Sequence, residues 1–325
     1  MRSFRSLTSI LSLPVLSLAL AATAFGQNAN SARPGTLNYI EGQASIEGRA
    51  LSPQSVGNTT LEAGQVLATA NGKAEFLLTP GIFVRLGNDT TVQMVSPDLT
   101  HTEIRLEQGH ANIEVDQIYS QNTILIDLKN GQTQLLKNGL YAFDANASTV
   151  RVFDGKAAVY PGADLRANIK PIDLKGGRQL ALTGEPLKPR SFNKDQAVAD
   201  PLYKWSSLRS QYLGEANLSL AEDYAAYPSF YPGWYWAGGP FGYTWLPGDG
   251  LFWNPFGFGF YSPFYLRGGG FIYGGYGRGF YGYRGGYGYR GGAFHGGAVR
   301  AEGGGFHGGG GGGFHGGGGG GGGHR

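Results

Sequence analysis

Gly42-Gln43-Ala44-Ser45-Ile46, Gly72-Lys73-Ala74-Glu75-Phe76, Gly109-His110-Ala111-Asn112-Ile113 and Gly155-Lys156-Ala157-Ala158-Val159 are four copies of one phrase, Gly-x-Ala-x-apolar, in a chain of 325 residues. Each glycine follows a polar residue (Glu41, Asn71, Gln108 or Asp154), so each copy reads as a turn with positive φ feeding a strand with alternating faces. Each alanine shares a face with the apolar residue two places on, which marks a close approach of strands or sheets. Spacings of 30, 37 and 46 residues are too irregular for a solenoid and indicate duplicated hairpin units.

Outward from these copies, period-2 segments run to about residue 182. Phe76 and Leu78 share a face, as do Ile82, Val84 and Leu86; Ile104 and Leu106; Ile113 and Val115; and Ile124, Ile126 and Leu128. Glu103, Arg105, Glu107 and Glu114 fall on the opposite face, which is expected to be wet. Pro80-Gly81, Asn130-Gly131, Asn138-Gly139 and Asp154-Gly155 punctuate the strands and leave no room for crossover helices. The expected module is mainly β over residues 36–185, an antiparallel sandwich or a short β-roll.

The run Leu61-Glu62-Ala63-Gly64-Gln65-Val66-Leu67 through Ala74-Glu75-Phe76-Leu77-Leu78, then Pro80-Gly81, Val84, Leu86, Leu106, Gly109, Ala111, Ile113 and Val115, resembles a FecR domain over roughly residues 36–160. In founding members of that family the domain is the periplasmic β part of a regulator relaying a signal to a cytoplasmic sigma factor. This chain has a leader where the family regulator has a cytoplasmic helical segment and a transmembrane helix. The layout looks more like secreted FecR-domain proteins with an aromatic, glycine-rich C-terminus.

Arg2 and Arg5, the apolar run from Leu7 to Phe25 and the small residues Ala22, Ala24 and Gly26 read as a signal peptide over 1–26, cleaved after Ala24 or Gly26. Pro14 and the serines and threonines weigh against a retained anchor, and no other stretch approaches a membrane span. The expected location is therefore the periplasm, the cell surface or the exterior. With 0 cysteines, disulfides, thiolate catalysis, thiolate metal sites and lipidation of an N-terminal cysteine are excluded. Without Arg2 and Arg5, 24 basic residues face 23 acidic ones, so the mature chain is nearly neutral.

Residues 186–199 read as a linker. Asp200 as N-cap and Pro201 at the first position open a helix over 200–226, with an apolar stripe of Leu202, Trp205, Leu208, Tyr212, Leu213, Ala216 and Leu220 that is expected to dock. Gly214 weakens its middle by about 1 kcal/mol. Residues 227–265 form an aromatic segment rich in Pro and Gly, in which Phe241 to Leu246 and Leu251 to Asn254 read as one hairpin around Pro247-Gly248-Asp249-Gly250. It is either a packed cluster or a sticky patch. Residues 266–325 are expected to be disordered, and truncation after Pro263 to leave melting nearly unchanged.

No catalytic constellation emerges. Glu222-Asp223 reads as a solvated helix end, not a facing acid–base pair, and His101 and His110 as strand-end surface histidines. His295, His307, His315 and His324 are spaced on glycine for weak, adventitious metal binding at most. Arg284-Gly285-Gly286 and Arg290-Gly291-Gly292 resemble RGG boxes, but the leader points away from a specific nucleic acid. The expectation is a non-enzymatic exported envelope or secreted protein without a cofactor, binding an envelope protein or polysaccharide and self-associating through its tail. Its candidate interaction surface is Trp234, Trp236, Tyr243, Trp245, Trp253 and Tyr261. The alternatives are a periplasmic signal-sensing module acting through a separate membrane regulator, and a carbohydrate-binding or carbohydrate-active protein.

Overall fold

The computed structural model describes residues 32–162 and 169–268. The expected leader, the tail histidines and the RGG-like triplets lie outside the described residues. Within them, β1 (Leu37–Ile46), β2 (Arg49–Ala50), β3 (Val66–Leu77), β4 (Ile82–Leu86), β5 (Thr91–Pro97), β6 (His101–Gln108), β7 (His110–Val115), β8 (Thr123–Leu128), β9 (Gly131–Leu135), β10 (Gly139–Asp144), β11 (Thr149–Asp154), β12 (Lys156–Pro161), β13 (Ile172–Lys175), β14 (Arg178–Ala181) and β15 (Arg190–Ser191) join in one sheet. The chain is mainly β, as its alternation requires.

The strand order is β13-β12-β9-β8-β6-β5-β3-β4-β7-β10-β11-β14-β15, with β1 also paired to β3 and β2 paired to β1. The first half of β3 pairs with β5 and its second half with β4, so the sheet runs from β3 as two wings. One core lies between them: Ile104, Ile126 and Val159 come from one wing, Val84, Ile113 and Val150 from the other.

The four Gly-x-Ala-x-apolar phrases are the corners of this double layer. Gly42 and Gly72 face one another in the β1–β3 ladder, beside a bulge. Gly109 is the single residue between β6 and β7, and Gly155 the single residue between β11 and β12, each joining strands of opposite wings. Ala44, Ala74, Ala111 and Ala157 are all buried, since only a small side chain fits where the layers converge at a corner. One copy departs from expectation. Gly42, Gly109 and Gly155 have positive φ, but Gly72 does not; it lies within β3, where an added Cβ would stand 2.5 Å from the Gln43 amide nitrogen.

The described pairings are antiparallel except β6 with β8. The chain leaves β6 across the Gly109 corner, traverses the other wing as β7 and returns to lay β8 beside β6. A strand thus serves as the crossover that would otherwise need a helix.

The 186–199 stretch is not a bare linker. It adds β15 to the edge of β14 and forms α1 (Lys194–Val198), capped by Asn193. Then α2 (Pro201–Ala225) begins at Asp200, whose carboxylate accepts from the amides of Leu202 and Tyr203 at 2.8 and 3.1 Å. The aromatic segment follows as β16 (Gly233–Trp236) paired with β17 (Tyr243–Leu246), then β18 (Leu251–Trp253) paired with β19 (Gly259–Tyr261), and α3 (Pro263–Arg267). The single hairpin expected around Pro247-Gly248-Asp249-Gly250 is therefore two hairpins. The turn is held from outside, by Ser262 donating to the Gly248 and Gly250 carbonyls.

These elements cover the outer face of β3, β4 and β7. Leu77 and Phe83 from the sheet, Leu213 from α2, and Tyr243, Trp245 and Phe260 from the hairpins make a second core. Each fully buried ring contributes about 4 kcal/mol of gross burial before entropy. Gly214 earns its place in α2 because the backbone oxygen of Gly259 would stand 3.3 Å from any Cβ there. Among the described residues no helix is long and apolar enough to cross a membrane.

Candidate functional site

The cover on the sheet is polar where it was expected to be apolar. Leu208 and Tyr212 of the expected stripe are exposed, whereas Ser206, Arg209, Ser210 and Asn217 are buried against the sheet and hairpins. Ser210 meets Glu114, which the alternation placed on a wet face. Glu114 is fully buried and Glu103 nearly so, while Arg105 and Glu107 stay exposed. For Glu114 the reason is coverage: α2 and the hairpins occupy the position solvent would have taken.

Glu75 accepts from Arg85 Nε at 2.6 Å through one oxygen, and from Arg209 Nη2 at 2.8 Å and Asn38 Nδ2 at 2.9 Å through the other. Arg85 Nη1 donates to Glu114, whose second oxygen accepts from Ser210 at 2.7 Å and Asn254 at 2.8 Å. Two carboxylates and two guanidiniums therefore balance out of water, with each carboxylate oxygen satisfied. Burial pushes the Glu75 carboxyl up, but Arg209 and Arg85 outweigh it and hold it below the ordinary carboxylate range. Burial disfavours the Arg85 charge, and Glu114 and Glu75 more than restore it.

The same side chains serve the aromatic segment. Asn38 exchanges two hydrogen bonds with the Tyr243 backbone, at 2.6 and 3.0 Å, as a neighbouring strand would. Asn217 donates to the Trp245 carbonyl at 2.8 Å and accepts from the Tyr261 amide at 2.7 Å, tying the two hairpins to α2. Asp116 stands apart: it is buried, neither carboxyl oxygen has a hydrogen-bond donor, and burial with the adjacent Glu114 pushes its carboxyl well up.

An open concave surface lies at the seam between β7, β10, β11 and β14 and the start of α2. This cleft holds about 430 Å³, and a second lobe of about 360 Å³ shares His110, Asp200 and Leu202 with it. A file of rings borders the first lobe, Phe192 to Phe153 at 5.3 Å between centroids and Phe153 to Tyr203 at 5.0 Å, and continues beyond the lobe from Tyr203 to Phe256 at 5.3 Å. The Arg151 guanidinium lies 5.0 Å from the Phe192 centroid and donates through Nε to Gln179 at 3.2 Å. His110 Nδ1 is 3.7 Å from Asp144.

The six aromatics of the expected surface are dispersed. Tyr243 and Trp245 are buried in the second core and present no surface, because β17 is pressed between the sheet and α2. Trp234 packs edge-on to Phe83, and Tyr261 is half-buried. Only Trp236 and Trp253 are exposed among the six, at 42% and 60%. His101 and His110 stand at the first positions of β6 and β7, and Glu222 and Asp223 are exposed on α2. No cluster of three metal-ligating side chains occurs among the described residues.

No protein-family model matches the chain, and no curated protein matches it. Two crystal structures of a candidate anti-sigma factor from Parabacteroides distasonis ATCC 8503 are similar to part of it, with a TM-score of 0.34 and 14% identity over 41% of this chain. The chain spans about three fifths of their length, 62% and 61%, and so slight a likeness carries no argument about function.

Proposed function

We propose that this is a non-enzymatic exported protein of the envelope or the exterior, whose FecR-like β module binds another macromolecule. One observation carries the reading: Glu75, Arg85, Glu114 and Arg209, a buried cluster of four charges, lie beneath α2 and the hairpins and join module to cover. A concave surface left open to a partner is the cleft at their seam, lined by amides, rings and scattered charges. Such a surface suits recognition. Export is supported by the leader, and the module's family by the glycine and apolar pattern of residues 36–160.

Cell fractionation with protease shaving, using a tag at the exposed Lys188, tests the reading. A periplasmic, surface or released pool is the expected outcome, with the tag protected in intact cells only for the first. Retention in the cytoplasm overturns it. Stoichiometric co-purification with a membrane-embedded regulator would replace it by the signal-sensing alternative.

A further inference from the structure

We infer that the two-lobed cleft beside His110 takes a neutral oligosaccharide chain, an inference that rests on the binding-protein reading above. The shape argues for a linear ligand: lobes of about 430 and 360 Å³ adjoin along His110, Asp200 and Leu202. A compact small molecule fills one lobe, whereas several linked sugar rings would fill both.

The charge argues for neutrality. Arg151 and Lys73 are the cations lining the lobes, against the carboxylates of Asp89, Asp144 and Asp200. That balance gives no electrostatic preference for phosphate, sulfate or nucleic acid, which basic grooves select.

The remaining lining matches hydroxyl groups and sugar faces. Asn112, Gln179, Asn193 and Gln196 line the first lobe, and Asn88, Gln108 and Asn146 the second. Gln179 spends its oxygen on Arg151, and Asn193 spends its own on the Gln196 amide, so their NH₂ groups remain to donate to a ligand. A hydroxyl-rich ligand supplies acceptors for such donors and donors for the amide oxygens. The Phe192, Phe153 and Tyr203 rings, half-buried along the same lobe, offer apolar surface for the C–H faces of a sugar ring. The chemistry combines few charges, many amides and a file of rings.

The purified full chain is titrated by calorimetry with the pentamers of four neutral sugars: β-1,4-glucose, α-1,4-glucose, β-1,4-xylose and β-1,4-N-acetylglucosamine. Saturable binding of at least one is expected, with Kd below about 1 mM. Gln196→Ala, on the exposed face of the short α1, and Phe192→Ala should each weaken it about tenfold. Trp253→Ala, exposed but not lining the cleft, should leave it unchanged. An unaltered thermal melt shows that Gln196→Ala remains folded.

No saturation by any of the four up to about 10 mM overturns the inference. So does binding that both cleft variants leave intact, or displacement from the cleft by a polyanion or a peptide in preference to the sugars. Because the titration uses purified protein, its failure with correct export removes the ligand class alone. Cytoplasmic retention removes the function proposed above and leaves the titration to decide the cleft.

Discussion

Arg209 and Glu75 are 134 residues apart in the chain and meet at 2.8 Å, both out of water, with the Arg209 guanidinium also 4.1 Å from the centre of the Tyr39 ring. This contact joins α2 to the sheet. Replacing Arg209 by Met removes one of two balancing cations and leaves the Glu75 charge with Arg85 and Asn38 alone. Breaking a buried pair from one side costs about 3 kcal/mol. The Glu75→Gln, Arg209→Met double variant should lose less than the sum of the two single losses, by about 1 kcal/mol or more. Urea titrations of the four proteins measure the coupling, and additive losses would show that the pair is not a unit.

The neighbouring Asp116 reverses the usual pH dependence of a buried carboxylate. Its folded-state proton affinity is raised by burial and by Glu114, so its contribution is complete below the ordinary aspartate range and declines as pH rises through the raised value. Glu75 behaves in the opposite sense: its contribution is present above the ordinary glutamate range and lost as pH falls through its lowered value. Asp116→Asn should therefore match the parent near pH 4 and exceed it increasingly towards pH 8, by urea denaturation at each pH. A constant difference across that range would mean that Asp116 ionises in the folded protein as it does unfolded.

The corners of the fold were legible in the sequence because a corner is local: a glycine that must bend or yield space, then an alanine where layers converge. The start of α2 was legible for the same reason, since Asp200-Pro201 is a cap written in adjacent residues. The buried charges were not, because alternation tells which side chains share a face and not what covers that face. One signal was present. Arg209 falls four residues after Trp205 and four before Leu213, inside the buried stripe, and a charge there implies a partner of opposite sign. The cleft was hidden because Phe153 and Gln179 come from separate strands, Phe192 from the connection after β15 and Tyr203 from a helix, and only the docking of α2 assembles them.

Gly48 and Gly72 separate two costs of adding a Cβ. Gly48, between β1 and β2, has φ of 73° and nothing within 4 Å of the added atom, so Gly48→Ala pays for backbone strain alone, about 1 kcal/mol. Gly72 has no such strain but meets the Gln43 nitrogen at 2.5 Å and the Glu41 oxygen at 2.6 Å, which are backbone atoms that cannot swing away. Gly72→Ala must part β1 from β3 and should cost more than about 3 kcal/mol. Chemical denaturation of both variants gives the comparison; equal losses would remove crowding as the reason for the β3 corner.

The last described element, α3, is tied to α2, and this changes where the chain can be cut. Ser262 caps α3 through the Phe264 amide at 3.2 Å, Phe264 packs on Phe230 at 4.8 Å between centroids, and Arg267 donates to the Ala225 and Pro228 carbonyls at 2.9 and 3.3 Å. Those last bonds satisfy backbone oxygens at the C-terminal end of α2, where the helix has no further turn to supply donors. Truncation after Pro263, harmless if the aromatic segment merely trailed into glycine, removes all of them and should cost about 2 kcal/mol. Against a chain ending at Gly268, one ending at Pro263 should melt about 5 °C lower by circular dichroism. Identical melting would show that α3 adds nothing to the fold, and that α2 holds its own end without Arg267.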